Sequence, residues 1–276
     1  MRARNNVAAA VWDGIRLWSS SNNNSIFGNN ITGNNDNGIS LGGSFNAISE
    51  NNITKNYHGV RLCSSSNNIS GNNIAANNAG IHIEYSYNVI SGNNIAKNNW
   101  YGVALNWSAS SNIVSGNNIA NNYLGIWFWH SSNNRIYHNN FIDNTQQVAF
   151  YSSGYTNLWG EGYPSGGNFW SDYNPPDLYS GPYQNETGSD GIGDVSYVMD
   201  KNNIDRYPLI YPYGYVPTPD VNNDGIVDIE DLTICALAMW SYPGHPKWNP
   251  QADLNNDGII DIIDSVMIPV HFRETL

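Results

Sequence analysis

"GIHIEYSYNVISGNNIAKNN", residues 80–99, decides how the whole chain is read. Apolar residues alternate at Ile81 and Ile83, return at Val89-Ile90, and return again at Ile95. Period two in such short runs is strand spacing, and no 3.6-residue pattern competes with it. The stretch therefore reads as three short strands joined by polar corners. Close copies lie on both sides, "SGNNIAANN" at 70–78 and "SGNNIANNY" at 115–123. With the copies aligned on a Gly followed by Ile or Val, the anchors are Gly14, Gly38, Gly59, Gly80, Gly102 and Gly125, and Val148 opens a weaker seventh copy. The spacings are 24, 21, 21, 22, 23 and 23 residues. A period in this range marks a solenoid, and the L-x-x-L-x-L spacing of leucine-rich repeats is absent. Coils stacked at the strand spacing of ~4.8 Å would give a rod roughly 35 Å long.

Asparagine is a poor helix former and is depleted in strands, so its abundance needs a reason. It tolerates left-handed corners, and its amide is donor and acceptor at once. Stacked amides can bond from coil to coil. The pairs Asn29/Asn30, Asn51/Asn52, Asn72/Asn73, Asn93/Asn94, Asn117/Asn118 and Asn139/Asn140 supply the candidate rungs, from the first or the second member of each pair.

Within each anchor strand the residues one and three after Gly are apolar and point inward. Those two and four after it point outward. The outward columns read Arg16, Ser40, Arg61, His82, Ala104, Trp127 and Trp18, Gly42, Cys63, Glu84, Asn106, Trp129. Arg16, Trp18, Arg61, His82, Glu84, Trp127 and Trp129 make this a candidate ligand-binding face, since aromatic rings beside planar polar groups suit sugar rings or another protein. The alternative is that Trp18, Trp127 and Trp129 pack against the ends of the solenoid. Glycoside hydrolysis needs two carboxyl groups at a defined separation. Of Asp13, Asp36, Glu50, Glu84 and Asp143, only Glu84 lies on the face, and it is the single catalytic candidate.

These repeats resemble the parallel β-helix repeats of the NosD-like and carbohydrate-binding/sugar-hydrolase group over about residues 5–160. The resemblance implies a right-handed parallel β-helix. "GNFWSDY" and "DGIGD…RYPL" are similar to the closing segment of archaeal NosD-like surface proteins. The expected organisation is an all-β β-helix over 1–160, an aromatic-rich cap over 161–215, a stiff "VPTP" linker at 216–219 and a small α-helical domain over 220–276. Trp159, Phe169, Trp170, Tyr173 and Tyr207 are suitable cap material.

The last part carries a duplication 33 residues apart. Asp220, Asn222, Asp224, Asp228 and Asp231 stand at loop positions 1, 3, 5, 9 and 12, with Gly225 at 6. Asp253, Asn255, Asp257, Asp261 and Asp264 repeat them around Gly258. This is calcium-loop spacing, with the carbonyls of Ile226 and Ile259 at position 7. An apolar helical run follows each loop. The pair resembles a type I-like dockerin domain, which implies two Ca2+ ions and a cohesin-like or other surface-protein partner. Loop positions 10 and 11, often small hydroxyl residues in bacterial dockerins, hold Ile229 and Glu230, then Ile262 and Ile263. Asp190 and Asp194, flanking "GIG", are candidates for a third calcium ion or for a polar turn.

Charge follows the same division. Residues 1–147 carry +2, residues 148–219 carry −6 and residues 220–276 carry −8, within a total of −12. No basic stripe is present to hold nucleic acid. No apolar run approaches the ~18 residues of a membrane span. Cys63 and Cys235 form no disulfide framework and no zinc pattern. The beginning reads as starting part-way into a repeat. Together these features point first to a secreted or cell-surface binding protein. Its β-helix would contact polysaccharide or a surface protein, and its calcium module would attach it to a partner. A polysaccharide hydrolase or lyase is the second reading, and a self-assembling surface, sheath or filament subunit is the third.

Overall fold

The computed structural model describes residues 5–107, 109–152, 154–215, 218–242, 245–255 and 258–273. The chain divides into two compact units, one made of residues up to Asn174 with Ser196–Pro208, the other of Pro175–Val195 with Leu209–Leu276. The segment 161–215 thus contributes to both.

The first unit is a right-handed parallel β-helix of about seven turns. Each coil places one short strand in each of three parallel sheets. The anchor sheet holds Ile15–Leu17, Asn37–Leu41, His58–Leu62, Ala79–Ile83, Tyr101–Leu105, Leu124–Phe128 and Gln146–Phe150. The second sheet runs from Ser25–Phe27 to Arg135–Tyr137, and the third from Asn6–Ala8 to Phe169–Trp170. Every strand of these sheets pairs with its equivalent one coil away. Ile81 lies opposite Val60 and Val103, and Ile95 opposite Ile74 and Ile119. In the seventh coil Val148 lies opposite Ile126, so Gln147, one residue earlier, takes the place of the anchor glycine.

The inward residues form columns of like side chains. Ile31, Ile53, Ile74, Ile95 and Ile119 are fully buried, as are Ile48, Ile69, Ile90 and Ile136. The branched side chains fit stacked pleats, and this core supplies the main hydrophobic driving force. At the C-terminal end Phe141 stacks on Trp170 at 4.4 Å and Trp170 on Tyr197 at 4.3 Å, while Trp159 packs edge-on to Phe128. The expected aromatic lid is realised mainly by Trp159 and Trp170, which are 4 % and 1 % exposed.

Both members of each asparagine pair are rungs, and they do different work. The first is buried. Asn72 Nδ2 donates to Asn93 Oδ1 at 3.0 Å and to the Ile48 carbonyl at 2.9 Å, while Asn72 Oδ1 accepts from the backbone N–H of Asn51. The second faces outward, and Asn73 Nδ2 donates to Asn52 Oδ1 at 2.7 Å. Two further buried ladders run through Asn34, Asn56, Asn77, Asn98, Asn122 and Asn144 and through Asn46, Asn67, Asn88, Asn112, Asn134 and Asn157. All three end on residues of different placement. Asn144 donates to Gln147, Asn157 N donates to Asn203 Oδ1, and Asn168 N donates to Asp205 Oδ2. Burial raises the Asp205 carboxyl to about 6.

The left-handed corners are not the asparagines' main task, contrary to the sequence expectation. The residue before each pair takes that conformation: Glu50, Gly71, Gly92, Gly116 and His138 have φ between 54° and 64°. The asparagines are instead selected for the ladder. The anchor glycines have another cause. A Cβ on Gly59 would lie 2.5 Å from Ile74 Cγ2 and 2.8 Å from the Gly80 carbonyl oxygen.

In the second unit, helix α1 (Ile229–Leu237) and helix α2 (Ile262–Met267) each begin at loop position 10, three residues earlier than the apolar runs suggest. Asp228 and Asp261, at position 9, are the N-caps. Asp231 and Asp264, at position 12, complete capping boxes. Such caps satisfy otherwise orphaned N–H groups. The 33-residue repeat recurs in the core, where Val221, Val227 and Cys235 match Leu254, Ile260 and Ile268, all buried. The halves also exchange backbone hydrogen bonds. Trp240 N donates to the Ile260 carbonyl at 2.7 Å, and Arg273 N donates to that of Val227 at 2.9 Å.

Candidate functional site

The outer face of the anchor sheet is where the repeat stops repeating. Parallel register aligns Arg16, Ser40, Arg61, His82, Ala104 and Trp127 in one column, as the sequence spacing predicts. Register alone does not reveal how these side chains bond. Arg61 Nε and Nη2 donate to Glu84 Oε1 at 3.1 and 2.7 Å across adjacent coils. His82 Nε2 lies 3.3 Å from the same oxygen, and its Nδ1 lies 2.7 Å from the Tyr101 hydroxyl. Burial raises the Tyr101 pKa, so the phenol stays protonated. A carboxylate oxygen only accepts, so Nε2–H is the donor toward Glu84. The His82 hydrogen bond, ahead of the Arg61 pairing, holds the Glu84 carboxyl down to about 2 against the opposing effect of burial.

A second chain of contacts enters from the N-terminal side. Arg16 Nε pairs with Asp13 Oδ2 at 2.9 Å, Asn37 Nδ2 donates to Asp13 Oδ1 at 2.6 Å, and Asn37 Oδ1 lies 2.8 Å from His58 Nδ1. The His58 and His82 rings approach to 5.0 Å between centroids, and the residue opposite His58 in the next coil is the small Ala79. Burial, reinforced by His82 and Arg61, lowers His58 to about 4. His58 therefore sits neutral within the polar chain from Arg16 to Glu84.

Toward the C-terminal coils the face becomes aromatic. Trp127 and Trp129 stack at 6.1 Å, Trp107 lies 5.0 Å from Trp129, and Tyr151 lies 5.2 Å from Trp129. Trp127 also packs over Tyr101, Ala79, Ala104 and Leu124 in a small apolar cluster outside the main core. Among the described residues the ring contacts of Trp127 and Trp129 are with one another and with Tyr101, Trp107, His130 and Tyr151. Trp107 and Tyr151 are 64 % and 67 % exposed, and Trp18 is exposed with Arg16 over its ring at 4.7 Å. Along the other edge Tyr57 meets Trp100 edge-on at 5.6 Å, and Tyr123 is exposed. This second rim lies two residues before the anchor glycine, a position where Trp12, Tyr57, Trp100 and Tyr123 recur. That recurrence was available in the sequence.

Cys63 stands beside Glu84, and burial followed by that carboxylate pushes its thiol up to about 11. It is a neutral thiol. Glu84 itself is a held anion. A general acid of a glycosidase needs a carboxyl that keeps its proton near neutrality, and Glu84 is shifted the opposite way.

In the second unit the loop carboxylates fold back on their own backbone. Asp220 accepts from Asp224 N and Gly225 N at 3.1 and 2.9 Å, and Asp224 Oδ1 accepts from Ile226 N at 2.9 Å. Asp231 accepts from Asn222 N and Asp228 N. The second loop repeats this, with Asp253 accepting from Gly258 N and Asp264 from Leu254, Asn255 and Asp261. Asp261 caps α2. Asp257 lies outside the described residues. Among the described residues no three His, Cys, Asp or Glu side chains converge as a metal centre. The donor set is hard oxygen throughout, including the main-chain carbonyls of Ile226 and Ile259. Asp220 and Asp231 are buried at 6 % and 0 % exposure, and among the described residues neither forms an ion pair. Buried acids of this kind fit a bound cation. Asp190 and Asp194 also bond to nearby N–H groups: Asp190 accepts from Ile192 N and Gln184 Nε2, and Asp194 from Leu178 N and Tyr179 N. Ile229, Ile262 and Ile263 are 61 %, 60 % and 51 % exposed, so they do not pack within the domain.

The family model described as "Right handed beta helix region" matches residues 2–87 and 37–159, more than half of the chain. No curated protein and no solved structure matches it. No helix among the described residues is long and apolar enough to cross a membrane.

Proposed function

The chain belongs to the right-handed β-helix family, and on that premise we propose that it is a secreted or cell-surface binding protein. In this reading the outer face of the anchor sheet contacts polysaccharide, and the C-terminal unit is a dockerin-like module that attaches the protein to a partner when calcium is bound. One observation carries the first half. The coils are held together by repeated Asn ladders and columns of Ile, yet one face gathers Trp107, Trp127 and Tyr151 around Trp129. Clustered half-exposed indoles, rigid and flat, are the surfaces on which ring-shaped ligands lie. They are costly to leave in water without a ligand.

In the second unit Asp220, Asn222, Asp224, Asp228, Asp231 and the Ile226 carbonyl would hold one ion, and Asp253, Asn255, Asp257, Asp261, Asp264 and the Ile259 carbonyl the other. Calcium supplies charge neutralisation to a segment of net −8 and adds its binding free energy to folding. The exposed isoleucines at positions 10 and 11 would then face the partner. They are larger and more apolar than the small hydroxyl residues of bacterial dockerins, which favours a partner other than a bacterial-type cohesin.

A polysaccharide-binding screen with the intact protein tests the first half. Retention on at least one polysaccharide, lost in Trp107→Ala/Trp129→Ala, is expected. Release of reducing sugar or unsaturated product, abolished in Glu84→Gln, would instead favour the enzyme.

A further inference from the structure

We propose that the anchor-sheet face selects neutral polysaccharide chains over polyuronates, because Arg16 and Arg61, its guanidinium groups among the described residues, are neutralised in place by acids of neighbouring positions. This rests on the glycan-binding reading and names its ligand class. Arg61 is committed to Glu84 through two hydrogen bonds, and Arg16 to Asp13 and to the Trp18 ring. Burial followed by the neighbouring His82 and Arg61 keeps His58 uncharged near neutral pH. A polyuronate needs free guanidinium or ammonium groups to receive its carboxylates, commonly in bidentate pairs. Here those positions are filled by the protein's own carboxylates. Lys55 and Lys97 stand at the corner after the third sheet, with Tyr57 and Trp100 between them and the face in sequence.

What the face does offer suits a neutral chain. Aromatic rims run along both edges, with Tyr57, Trp100 and Tyr123 on one and Trp107, Trp129 and Tyr151 on the other. Between them lie planar polar groups: the mutually paired His82, Glu84 and Arg61, and the Asn106 amide, whose Oδ1 has no hydrogen-bond partner among the described residues. Hydroxyl groups can both donate to and accept from such groups without displacing a charge.

The test is titration calorimetry of the intact calcium-loaded chain with galactomannan, hydroxyethyl cellulose and polygalacturonate, at low and at physiological salt. Binding of a neutral polymer with little salt dependence, at least about tenfold tighter than polygalacturonate, is expected. Glu84→Gln frees Arg61, and Asp13→Asn frees Arg16. Each should raise polygalacturonate affinity by about tenfold at low salt. The double variant Arg61→Gln/Glu84→Gln should not show that gain, which separates a freed cation from a disturbed fold. Wild-type protein that binds polygalacturonate as tightly as the neutral polymers, with affinity falling steeply with salt, overturns the neutral-chain inference and leaves glycan binding standing. Binding to none of the three overturns both.

Discussion

The outer faces of the third sheet and the anchor sheet belong to the same coils, have the same period and see the same solvent. On the third sheet the outward residue is Asn in successive coils, Asn30, Asn52, Asn73, Asn94 and Asn118, each bonded to the one before. On the anchor sheet the equivalent positions differ in almost every coil, and their bonds cross between columns. Like side chains stacked at the strand spacing bond to one another, and each rung leaves a ligand only the second N–H and second lone pair of its amide. Unlike ones cannot ladder, so their polar and aromatic surface is either paired by design or left available. Function is therefore sought where stacking fails.

The largest expected effect lies under the monotonous face. Asn72→Ala removes the acceptor of Asn51 N and the Nδ2 donor to the Ile48 and Ser70 carbonyls. It should cost about 3 kcal/mol or more in urea unfolding, against at most about 1 for the solvent-facing neighbour Asn73→Ala. Equal costs would erase the distinction between buried and exposed ladders. Gly59→Ala comes next, since its Cβ meets backbone and a buried isoleucine. A loss of about 2 kcal/mol is expected, against about 1 for Gly71→Ala, whose φ is 64° but whose surroundings are open.

On the irregular face the expected signature is pH dependence. His58 is lowered to about 4, so it binds a proton more readily when unfolded. Its contribution is present above about 6.5 and is lost as pH falls toward 4. Glu84, lowered to about 2, adds a further loss between about 4.5 and 2. Asp205, raised to about 6, acts in the opposite sense: its contribution is present below about 4 and is lost as pH rises through 6. Chemical denaturation of His58→Asn across pH 4–7 should therefore show a weaker acid-side loss than wild type, by up to about 2 kcal/mol. An unchanged profile would mean that His58 is not held neutral by the fold. For the second unit, Asp224→Ala should abolish one of two calcium sites in titration calorimetry and reduce the calcium-induced thermal shift. Absence of any calcium heat in wild type would remove the attachment proposal.

Repetition made the solenoid legible. Gly38, Gly59, Gly80 and the isoleucines that follow them state the period, the strands and the inward columns without further help. The face was legible as a list of residues and not as a network. Arg61 and Glu84 stand at different places in their own coils, and so do His58 and His82. Reading straight up a column separates what long side chains join diagonally. The rim of Tyr57, Trp100 and Tyr123 was missed because alternation was counted forward from glycine and not backward. In the second unit the spacing located Asp228 and Asp261, while their capping role, which starts each helix three residues early, depends on backbone N–H groups that no spacing displays.

The most direct measurement is binding of the intact protein to a neutral polysaccharide, comparing Trp107→Ala/Trp129→Ala with Asn73→Ala/Asn94→Ala. The first pair lies on the irregular face and the second on the laddered one. A loss of at least about tenfold in the tryptophan variant, with the asparagine variant unchanged, is the predicted result. Equal behaviour of the two variants would contradict the assignment of binding to the face where the repeat breaks.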